Sequence, residues 1–283
     1  MTAGRRLLGG LVAAFVASAL VVGGAGSGVA VTEGQMFTLE WIEGGLYTVD
    51  PATAGKTLIA TTAPPVLAST GIQYDPASGV LWAVTFDGPC LLHSINPDSA
   101  ATTLVGDTEA FDCTGLDRQP STGTLFIVYD DDANDSVLAT VDKATGARTD
   151  IGVVDADGGI RIAGLAFAAD GTLYGGGYDS NLYTIDPATA AATLVGPMEL
   201  TSGDPMGMSF DCAGTLYIND DTDLFTVDPA TGGTTLVGTL WPDEGELFSE
   251  NLTVACSVPT PPPPPPDDTP AAPALVVTPR FTG

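Results

Sequence analysis

One fifteen-residue phrase occurs five times in this chain, and its recurrence constrains the fold more than any other feature. The copies are, in chain order, LYTVDPATAGKTLIA, LHSINPDSAATTLVG, LATVDKATGARTDIG, LYTIDPATAAATLVG and LFTVDPATGGTTLVG. They start at Leu46, Leu92, Leu138, Leu182 and Leu224, which are 46, 46, 44 and 42 residues apart. A period of this length is typical of four-stranded propeller blades, whereas leucine-rich repeats are shorter. No 3.6-residue periodicity accompanies the copies, so helical repeats are disfavoured.

Each copy is predicted to form two strands around a tight turn. An Asp or Asn at the head of such a turn caps its own backbone, and a following Pro presets φ. The residues in this place are Asp50, Asn96, Asp142, Asp186 and Asp228. We therefore interpret them as turn residues rather than as a ring of catalytic carboxylates.

A second strand-turn-strand phrase precedes the last four copies, as in GIQYDPASGVLW from Gly71 and GMSFDCAGTLY from Gly207. One unit then consists of strand a, a turn, strand b, a loop, strand c, a turn and strand d. The first copy follows only QMFTLEWIEGG, which supplies strand b but no strand a. NLTVAC, from Asn251 to Cys256, aligns with the strand at Gly207 and is predicted to complete the first blade. We predict an all-β, five-bladed β-propeller of four-stranded blades over residues 31–256, with the ring closed by strand 251–256.

The two ends of the chain differ from the repeats. Residues 1–30 have the pattern of a secretory signal peptide, because Arg5 and Arg6 precede an apolar stretch and small residues lead to a cleavage point after about Ala30. A single uncleaved anchor is the alternative. Residues 257–283 contain six consecutive prolines and are predicted to be a disordered, Pro-rich tail. With cleavage, the mature protein has no membrane span and is secreted, extracellular or in the cell envelope.

Export allows the four cysteines to form two disulfides. In the predicted blades, the b–c loops and the linkers after strand d share one face of the ring, which we name the loop face. The two tight turns of every blade share the opposite face, the turn face. Cys90 and Cys113 fall on the loop face, and Cys212 and Cys256 fall on the turn face across the closure. Only the pairs 90 with 113 and 212 with 256 keep both partners on one face.

The formal net charge of −27 arises from 8 basic and 35 acidic residues. Such a surface repels phosphate backbones, so nucleic-acid binding is excluded, while cations and basic partners are attracted. Most of the acidic residues fall in segments predicted for the loop face. The densest runs are YDDDANDS and INDDTDL, and oxygen ligands packed this closely suit Ca²⁺. The candidate Ca²⁺ ligands are Asp130, Asp131, Asp132, Asp135, Asp220, Asp221 and Asp223.

Neither acidic run matches an EF-hand loop, and acidic loops that merely solvate a secreted protein are the alternative. Asp87 and Asp179 follow predicted b strands of two other blades and are candidate binding residues at the same mouth. His93 is interpreted as a wall residue, since no motif supplies it with a nucleophile. Trp41 and Trp82 are expected to end b strands near the loop face, but the tryptophans are scattered and predict no aromatic platform.

At LYTIDPATAAATLVG and GLAFAADGTLYGGGYD the sequence resembles the repeat units of secreted bacterial β-propellers with PQQ-like, NHL-like or YVTN-type repeats. The resemblance covers about residues 35–256 and implies the fold. Quinoprotein blades carry a tryptophan in an AxDxxTGxxxW-like phrase. That tryptophan is missing from all five copies, so no quinone cofactor is implied.

Two functions from different classes fit these features. The first is an exported, non-catalytic, monomeric propeller that presents its acidic loop face to an extracellular protein or glycan, with Ca²⁺ as a candidate cofactor. The alternative is an extracellular carbohydrate-active hydrolase with two carboxylates at the propeller mouth. The candidates for that pair are Asp87, Asp130, Asp179 and Asp220.

Overall fold

The computed structural model of the chain describes residues 31–86, 88–155, 159–201, 205–242 and 248–257, which form twenty strands and no helix. The predicted signal peptide and the tail from residue 258 onward lie outside the described residues. This part of the chain accordingly offers no apolar helix of membrane-spanning length. In chain order the strands are β1 (Met36–Leu39), β2 (Gly45–Val49), β3 (Lys56–Thr61), β4 (Ser69–Asp75), β5 (Val80–Thr85), β6 (Pro89–Ile95), β7 (Thr102–Phe111), β8 (Cys113–Arg118), β9 (Leu125–Asp130), β10 (Ser136–Val141), β11 (Arg148–Val153), β12 (Ile162–Phe167), β13 (Leu173–Gly177), β14 (Asn181–Ile185), β15 (Ala192–Pro197), β16 (Met208–Phe210), β17 (Leu216–Asp220), β18 (Asp223–Val227), β19 (Thr234–Thr239) and β20 (Thr253–Val254).

The strands form five antiparallel sheets of four, and each sheet is one blade. Blades 2 to 5 take consecutive strands, β4 to β7, β8 to β11, β12 to β15 and β16 to β19. Blade 1 has the order β20-β1-β2-β3, with Met36 opposite Val254 and Phe37 opposite Thr253. The last strand therefore supplies the inner strand of the first blade, as NLTVAC predicts. The five-bladed β-propeller is confirmed, and its closure gives β1 a partner on its inner side.

The hydrophobic core lies between neighbouring blades. Val84 and Leu92 of blade 2, for example, belong to one cluster with Leu125 and Ile127 of blade 3. A middle strand such as β9 is covered on both sides and is buried along its whole length. Outer strands such as β19 are half-buried or exposed, because only one side meets a neighbouring blade.

The repeated phrase forms strand c, the tight turn and strand d in every blade. In blade 1 the Asp50 carboxylate accepts hydrogen bonds from Ala52 N at 2.9 Å and from Thr53 Oγ1 at 2.8 Å. These two bonds hold the pKa of Asp50 below its usual value. Asp228 makes the same contacts in blade 5. The repeated Asp is thus a turn cap, as its position before Pro indicates.

The last residue of the phrase receives the turn of the next blade. A Cβ atom on Gly196 of blade 4 would lie 2.1 Å from the carbonyl oxygen of Thr231, in the turn of blade 5. A Cβ atom on Gly106 of blade 2 would lie 1.9 Å from the carbonyl oxygen of Thr145, in the turn of blade 3. Real Cβ atoms do not approach backbone oxygens this closely, so the turn fits only because glycine has no side chain.

The same contact recurs across the closure and varies in tightness around the ring. A Cβ atom on Gly238 of blade 5 would lie 2.7 Å from the carbonyl oxygen of Thr53 in blade 1. At Gly152 of blade 3 the nearest backbone oxygen, that of Thr189, is 3.5 Å away, which is ordinary contact. In blade 1 the equivalent position is Ala60. We name this contact of turn and glycine the interblade joint.

Replacing Gly196 with alanine should lower the free energy of unfolding by about 1–3 kcal/mol, because the added methyl group overpacks the joint. The matched control is Gly152→Ala at the same phrase position. It has room for the methyl group and should change stability by no more than about 0.5 kcal/mol. Urea denaturation of both variants measures the difference, and equal losses would contradict the interblade joint.

The five inner strands approach one another so closely that the axis is filled. Their equivalent residues near this point are Gly71, Gly115, Gly164, Gly207 and Asn251. A Cβ atom on Gly164 would lie 2.1 Å from the carbonyl oxygen of Met206 in the next blade. About 10 Å³ stays open between these segments, room for a single water at most. The loop face and the turn face are therefore separate surfaces.

Both predicted disulfides are confirmed. Cys90 and Cys113 join β6 to β8 with their Cα atoms 5.8 Å apart. Cys212 and Cys256 join blade 5 to the segment after β20, with a Cα separation of 5.4 Å. The second bond crosses the point where the ring closes.

Candidate functional site

The b–c loops begin at the same place in all five blades, as the pairing of strands b and c shows. In each blade one residue of strand b lies opposite the first Leu of the phrase. The residue two positions after this strand-b residue lies on the loop face. From blade 1 to blade 5 these equivalent residues are Trp41, Phe86, Asp130, Tyr178 and Asp221. The mouth of the loop face is therefore aromatic at blades 1 and 2, whereas Asp130 and Asp221 flank Tyr178 at blades 3 to 5. We call these the aromatic side and the charged side.

On the aromatic side three rings meet from distant parts of the chain. The Trp41 ring stacks on Phe248 with centroids 5.5 Å apart, and it lies 5.9 Å from Phe86. Trp41 N donates to the Phe248 carbonyl oxygen at 3.0 Å, which fixes the linker before β20 against blade 1. All three side chains are half-buried, so each keeps part of its surface open to solvent.

Two exposed aliphatic side chains extend this cluster. Ile42 is 44% exposed and directly follows Trp41, and Leu67 is 46% exposed. Leu67 precedes Ala68, whose N–H donates to the Trp41 carbonyl oxygen at 2.8 Å and whose carbonyl oxygen accepts from Phe86 N at 2.6 Å. We name Trp41, Ile42, Leu67, Phe86 and Phe248 the aromatic patch.

Carboxylates lie directly beside the aromatic patch. The buried Glu40 side chain accepts hydrogen bonds from Ile42 N at 2.5 Å and from Glu43 N at 2.6 Å, and so caps the b–c loop of blade 1. Glu43 itself is exposed. Desolvation, followed by the charges of Glu40 and Glu43, raises the pKa of Tyr47. The aromatic patch itself is apolar, and the carboxylates of Glu40 and Glu43 beside it give its surroundings a negative charge.

On the charged side Asp130 is bound within the protein. It is 7% exposed, and it accepts hydrogen bonds from Ser136 Oγ at 2.9 Å and from Arg161 Nε at 3.1 Å. The Arg161 guanidinium also contacts Asp130 through Nη2 and lies over the Tyr178 ring, 4.5 Å from its centroid. The hydrogen bond that Arg161 donates to Asp130 raises the pKa of Arg161. Asp130 and Arg161 therefore neutralise each other between blades 3 and 4.

The other candidate Ca²⁺ ligands lie apart in blades 3 and 5. Asp131 caps its own loop by accepting from Ala133 N at 2.8 Å and from Asp135 N at 3.0 Å, and Asp132 is exposed. In blade 5 Asp220 and Asp223 are buried and Asp221 is half-buried.

Among the described residues, no three carboxylates of these runs bring oxygens within 4.8 Å of one another. The single group that meets this distance comprises Glu33, Cys212 and Cys256, and its two sulfurs form a disulfide. The calcium site stays a prediction.

Of the two candidate binding residues, Asp87 lies outside the described residues and Asp179 is exposed in the b–c loop of blade 4. Asp179 accepts hydrogen bonds from Tyr183 Oη at 2.6 Å and from Asn181 Nδ2 at 2.8 Å. Partial desolvation opposes its charge, but these bonds outweigh it and lower the pKa of Asp179. Desolvation and the same carboxylate raise the pKa of Tyr183 to about 12.

The expectation that Trp82 lies near the loop face is wrong. Trp82 stands near the start of strand b, and its Nε1 donates to Asp75 at 3.4 Å on the turn face. The aromatic patch was missed in the sequence because its rings come from loops of different lengths. Aligning strand b of each blade with the first Leu of its phrase would have shown that Trp41 and Phe86 occupy equivalent positions in neighbouring blades.

A cavity of about 410 Å³ lies at the turn-face end of the axis, and all five blades line it. Each blade contributes a side chain from its inner strand. From blade 1 to blade 5 these are Val254, Gln73, Asp117, Phe167 and Phe210. Apart from the disulfide between Cys212 and Cys256, no site residue predicted from the sequence lies there.

Comparison with known proteins supports the fold. No family model matches the sequence, and no curated protein matches it. A chain in the crystal structure of a nidogen/laminin complex aligns with a TM-score of 0.55 at 15% identity, over 81% of this chain and 83% of that chain. A protein of unknown function from Bacteroides thetaiotaomicron gives a TM-score of 0.49 at 13% identity, over 79% of this chain and 65% of that chain. TolB from Acinetobacter baumannii gives 0.47 at 10% identity, over 72% of this chain and 52% of its own.

At identities this low, likeness to solved structures shows the fold alone. The resemblance to PQQ-like, NHL-like or YVTN-type repeats stays a prediction. What the chain shares with these structures is that it is a β-propeller.

Proposed function

We propose that this protein is an exported, non-catalytic binding module whose loop face docks a basic extracellular protein. The aromatic patch carries the proposal. Three rings from blades 1, 2 and 5 converge on one point of the acidic face, with Ile42 and Leu67 exposed beside them. Two disulfides support export, because such bonds persist in oxidising compartments.

The composition of this surface matches that of protein interfaces. Aromatic side chains at the centre of an interface supply most of its binding energy, and a polar rim excludes water around them. Here the centre is the aromatic patch and the nearby rim includes Glu43. The closed ring holds both in place, so little conformational entropy is lost on docking.

The sign of the charge selects the partner. A chain with a net charge of −27 attracts basic surfaces and speeds their encounter at low ionic strength. The partner should therefore present Lys or Arg around an apolar or aromatic anchor. Any Ca²⁺ bound at the acidic runs of blades 3 and 5 would lie outside the aromatic patch.

The hydrolase alternative has less support. Asp130 is held by Arg161, and Asp179 is held by Tyr183 and Asn181, so both carboxylates already have partners within the fold. A glycosidase needs two carboxylates of which one protonates the leaving group. Asp220, the remaining candidate that the structure describes, lies opposite Asp223 and has no exposed surface for a substrate to contact.

Peptide selection tests the proposal without a known partner. Phage-displayed random peptides selected on the immobilised protein should be enriched in Lys or Arg beside an aromatic or aliphatic residue. A labelled peptide from this selection should bind Trp41→Ala about 10- to 30-fold more weakly than the wild type, because a central aromatic anchor contributes about 1.4–2 kcal/mol. Fluorescence anisotropy measures the affinity.

Leu236→Ala is the matched control, since Leu236 is 55% exposed on the outer strand of blade 5 and far from the mouth. Its affinity for the peptide should equal that of the wild type. Glu43→Lys gives a second variant that leaves the rings intact, and it should weaken binding most at low salt. Enrichment of acidic peptides, or equal binding by Trp41→Ala and the wild type, would refute the proposal.

A further inference from the structure

The cavity at the turn-face end of the axis has walls that are fixed by hydrogen bonds between blades. Thr253 Oγ1 accepts a hydrogen bond from Tyr74 N at 3.1 Å and donates to Gln73 Oε1 at 2.9 Å. Ser209 Oγ accepts from Val254 N at 3.0 Å. These contacts tie blades 5, 1 and 2 together around the opening. The cavity is thus preformed, and its volume of about 410 Å³ lies within the range of small-molecule sites.

Asp117 supplies a hydrogen-bond acceptor in the wall. Asp117 is only 6% exposed. Its Oδ1 accepts a hydrogen bond from Arg118 N at 2.6 Å, and its Oδ2 accepts one from Phe167 N. A carboxylate has about four acceptor sites, so each oxygen can accept a further hydrogen bond. Burial raises the pKa of Asp117 to about 7, and a hydroxyl group that donates to this carboxylate would stabilise its charged form.

Arg118 and Gln73 line the same wall, and Gln73 supplies the donor. Arg118 is 8% exposed, and its Nε is buried without a hydrogen-bond partner among the described residues. The Nε lies 4.0 Å from Asp75 Oδ1, so the charges are paired although no hydrogen bond is formed. A ligand in the cavity cannot reach this Nε, because the atom has almost no accessible surface. Gln73 Nε2 makes one long hydrogen bond, to the Tyr74 carbonyl oxygen at 3.3 Å, and keeps its second N–H for a ligand oxygen.

We propose that this cavity binds a small neutral polyhydroxy compound of the size of a monosaccharide or disaccharide. One hydroxyl group of the ligand donates to Asp117, and another accepts from Gln73 Nε2. The apolar carbon face of the ligand packs against Phe167 and Phe210, which also line the cavity.

Other ligand classes fit this cavity less well. Glu33, Asp117 and Asp211 line it together with Arg118, whose charge is already met by Asp75, so an anion would be repelled. A simple ammonium group only donates hydrogen bonds and would leave the second N–H of Gln73 Nε2 without an acceptor. A hydroxyl group does both, which matches the donor and the acceptor in the wall.

This site is separate from the aromatic patch, because the filled axis divides the two faces. Binding at one face can therefore fail without any consequence for binding at the other.

Saturation-transfer NMR with glucose, galactose, mannose, N-acetylglucosamine, maltose and trehalose tests the site on the full chain. At least one of these sugars should bind saturably, and Asp117→Asn should weaken that binding at least tenfold. Because Asp117 is buried, a second variant protects the test against misfolding. Ala169 is exposed at the rim of the cavity, and Ala169→Trp should block entry while leaving the fold intact.

Ala77→Trp is the matched control, since Ala77 is exposed in the same turn of blade 2 and does not line the cavity. It should bind the sugar as the wild type does. The proposal is overturned if no sugar of the panel binds at concentrations of tens of millimolar. It is also overturned if Ala169→Trp, folded by thermal melting, binds as tightly as Ala77→Trp.

Discussion

Replacing both Cys212 and Cys256 with serine should lower the free energy of unfolding by about 4 kcal/mol, the largest loss we expect from any change that spares the core. The bond closes a segment of 44 residues, which the unfolded chain would otherwise explore freely. It also lies next to β20, a strand of only two residues that pairs the end of the chain with β1. Urea denaturation under oxidising conditions measures the loss.

The double replacement of Cys90 and Cys113 is the matched control. That bond lies on the loop face and closes a segment of only 23 residues. Its loss should lower the free energy of unfolding by about 3 kcal/mol and leave the ring closure intact. Hydrogen exchange separates the two variants, because the amides of β1 should exchange faster only when Cys212 and Cys256 are replaced. Unchanged protection of Met36 and Phe37 in that variant would show that the disulfide does not hold the closure.

The second large effect is a pH dependence that comes from Asp117. Its pKa is raised by burial from 3.8 to about 7, so the folded protein keeps the proton after the unfolded chain has lost it. The stability that this group contributes is complete below about pH 4 and is lost as the pH rises to about 7. A shift of this size corresponds to about 4 kcal/mol between the two limits.

Asp117→Asn isolates this contribution, because asparagine does not titrate. The difference in unfolding free energy between wild type and variant should therefore change in favour of the variant by several kcal/mol from about pH 4 to pH 8. Other groups cancel in this difference, including His93, whose pKa is lowered by burial and which destabilises the fold as the pH falls. If the unfolding free energies of the two proteins changed with pH in the same way, the pKa of Asp117 would be the same in the folded and the unfolded chain, and the prediction would be wrong.

The blade count and the closure could be predicted from sequence because they depend on spacing alone. The first Leu of each phrase marks strand c, and a strand without a partner at the N-terminus requires one from the C-terminus. The disulfide pairs followed from the same alternation of faces. Backbone hydrogen bonding between strands allows few arrangements, so a regular repeat determines the topology.

The sites could not be predicted in the same way, since they depend on contacts between segments that share no pattern. Arg161 neutralises Asp130 from 31 residues away, and only the fold brings the two together. Phe248 joins Trp41 through the closing linker. Asp117 is hidden in GLDRQP, where the inner-strand position looks like any other until its burial is known.

Because of the interblade joint, a substitution in one repeat affects the packing of the neighbouring blade. Four of the five fifteen-residue phrases end in a glycine that receives the turn of the next blade, and Ala60 takes this place in the first phrase. A lesion at Gly196 would thus be felt first by the turn at Thr231, in another blade than its own. The blades are therefore not independent units, because the turn of one blade packs against the end of the phrase in the blade before it.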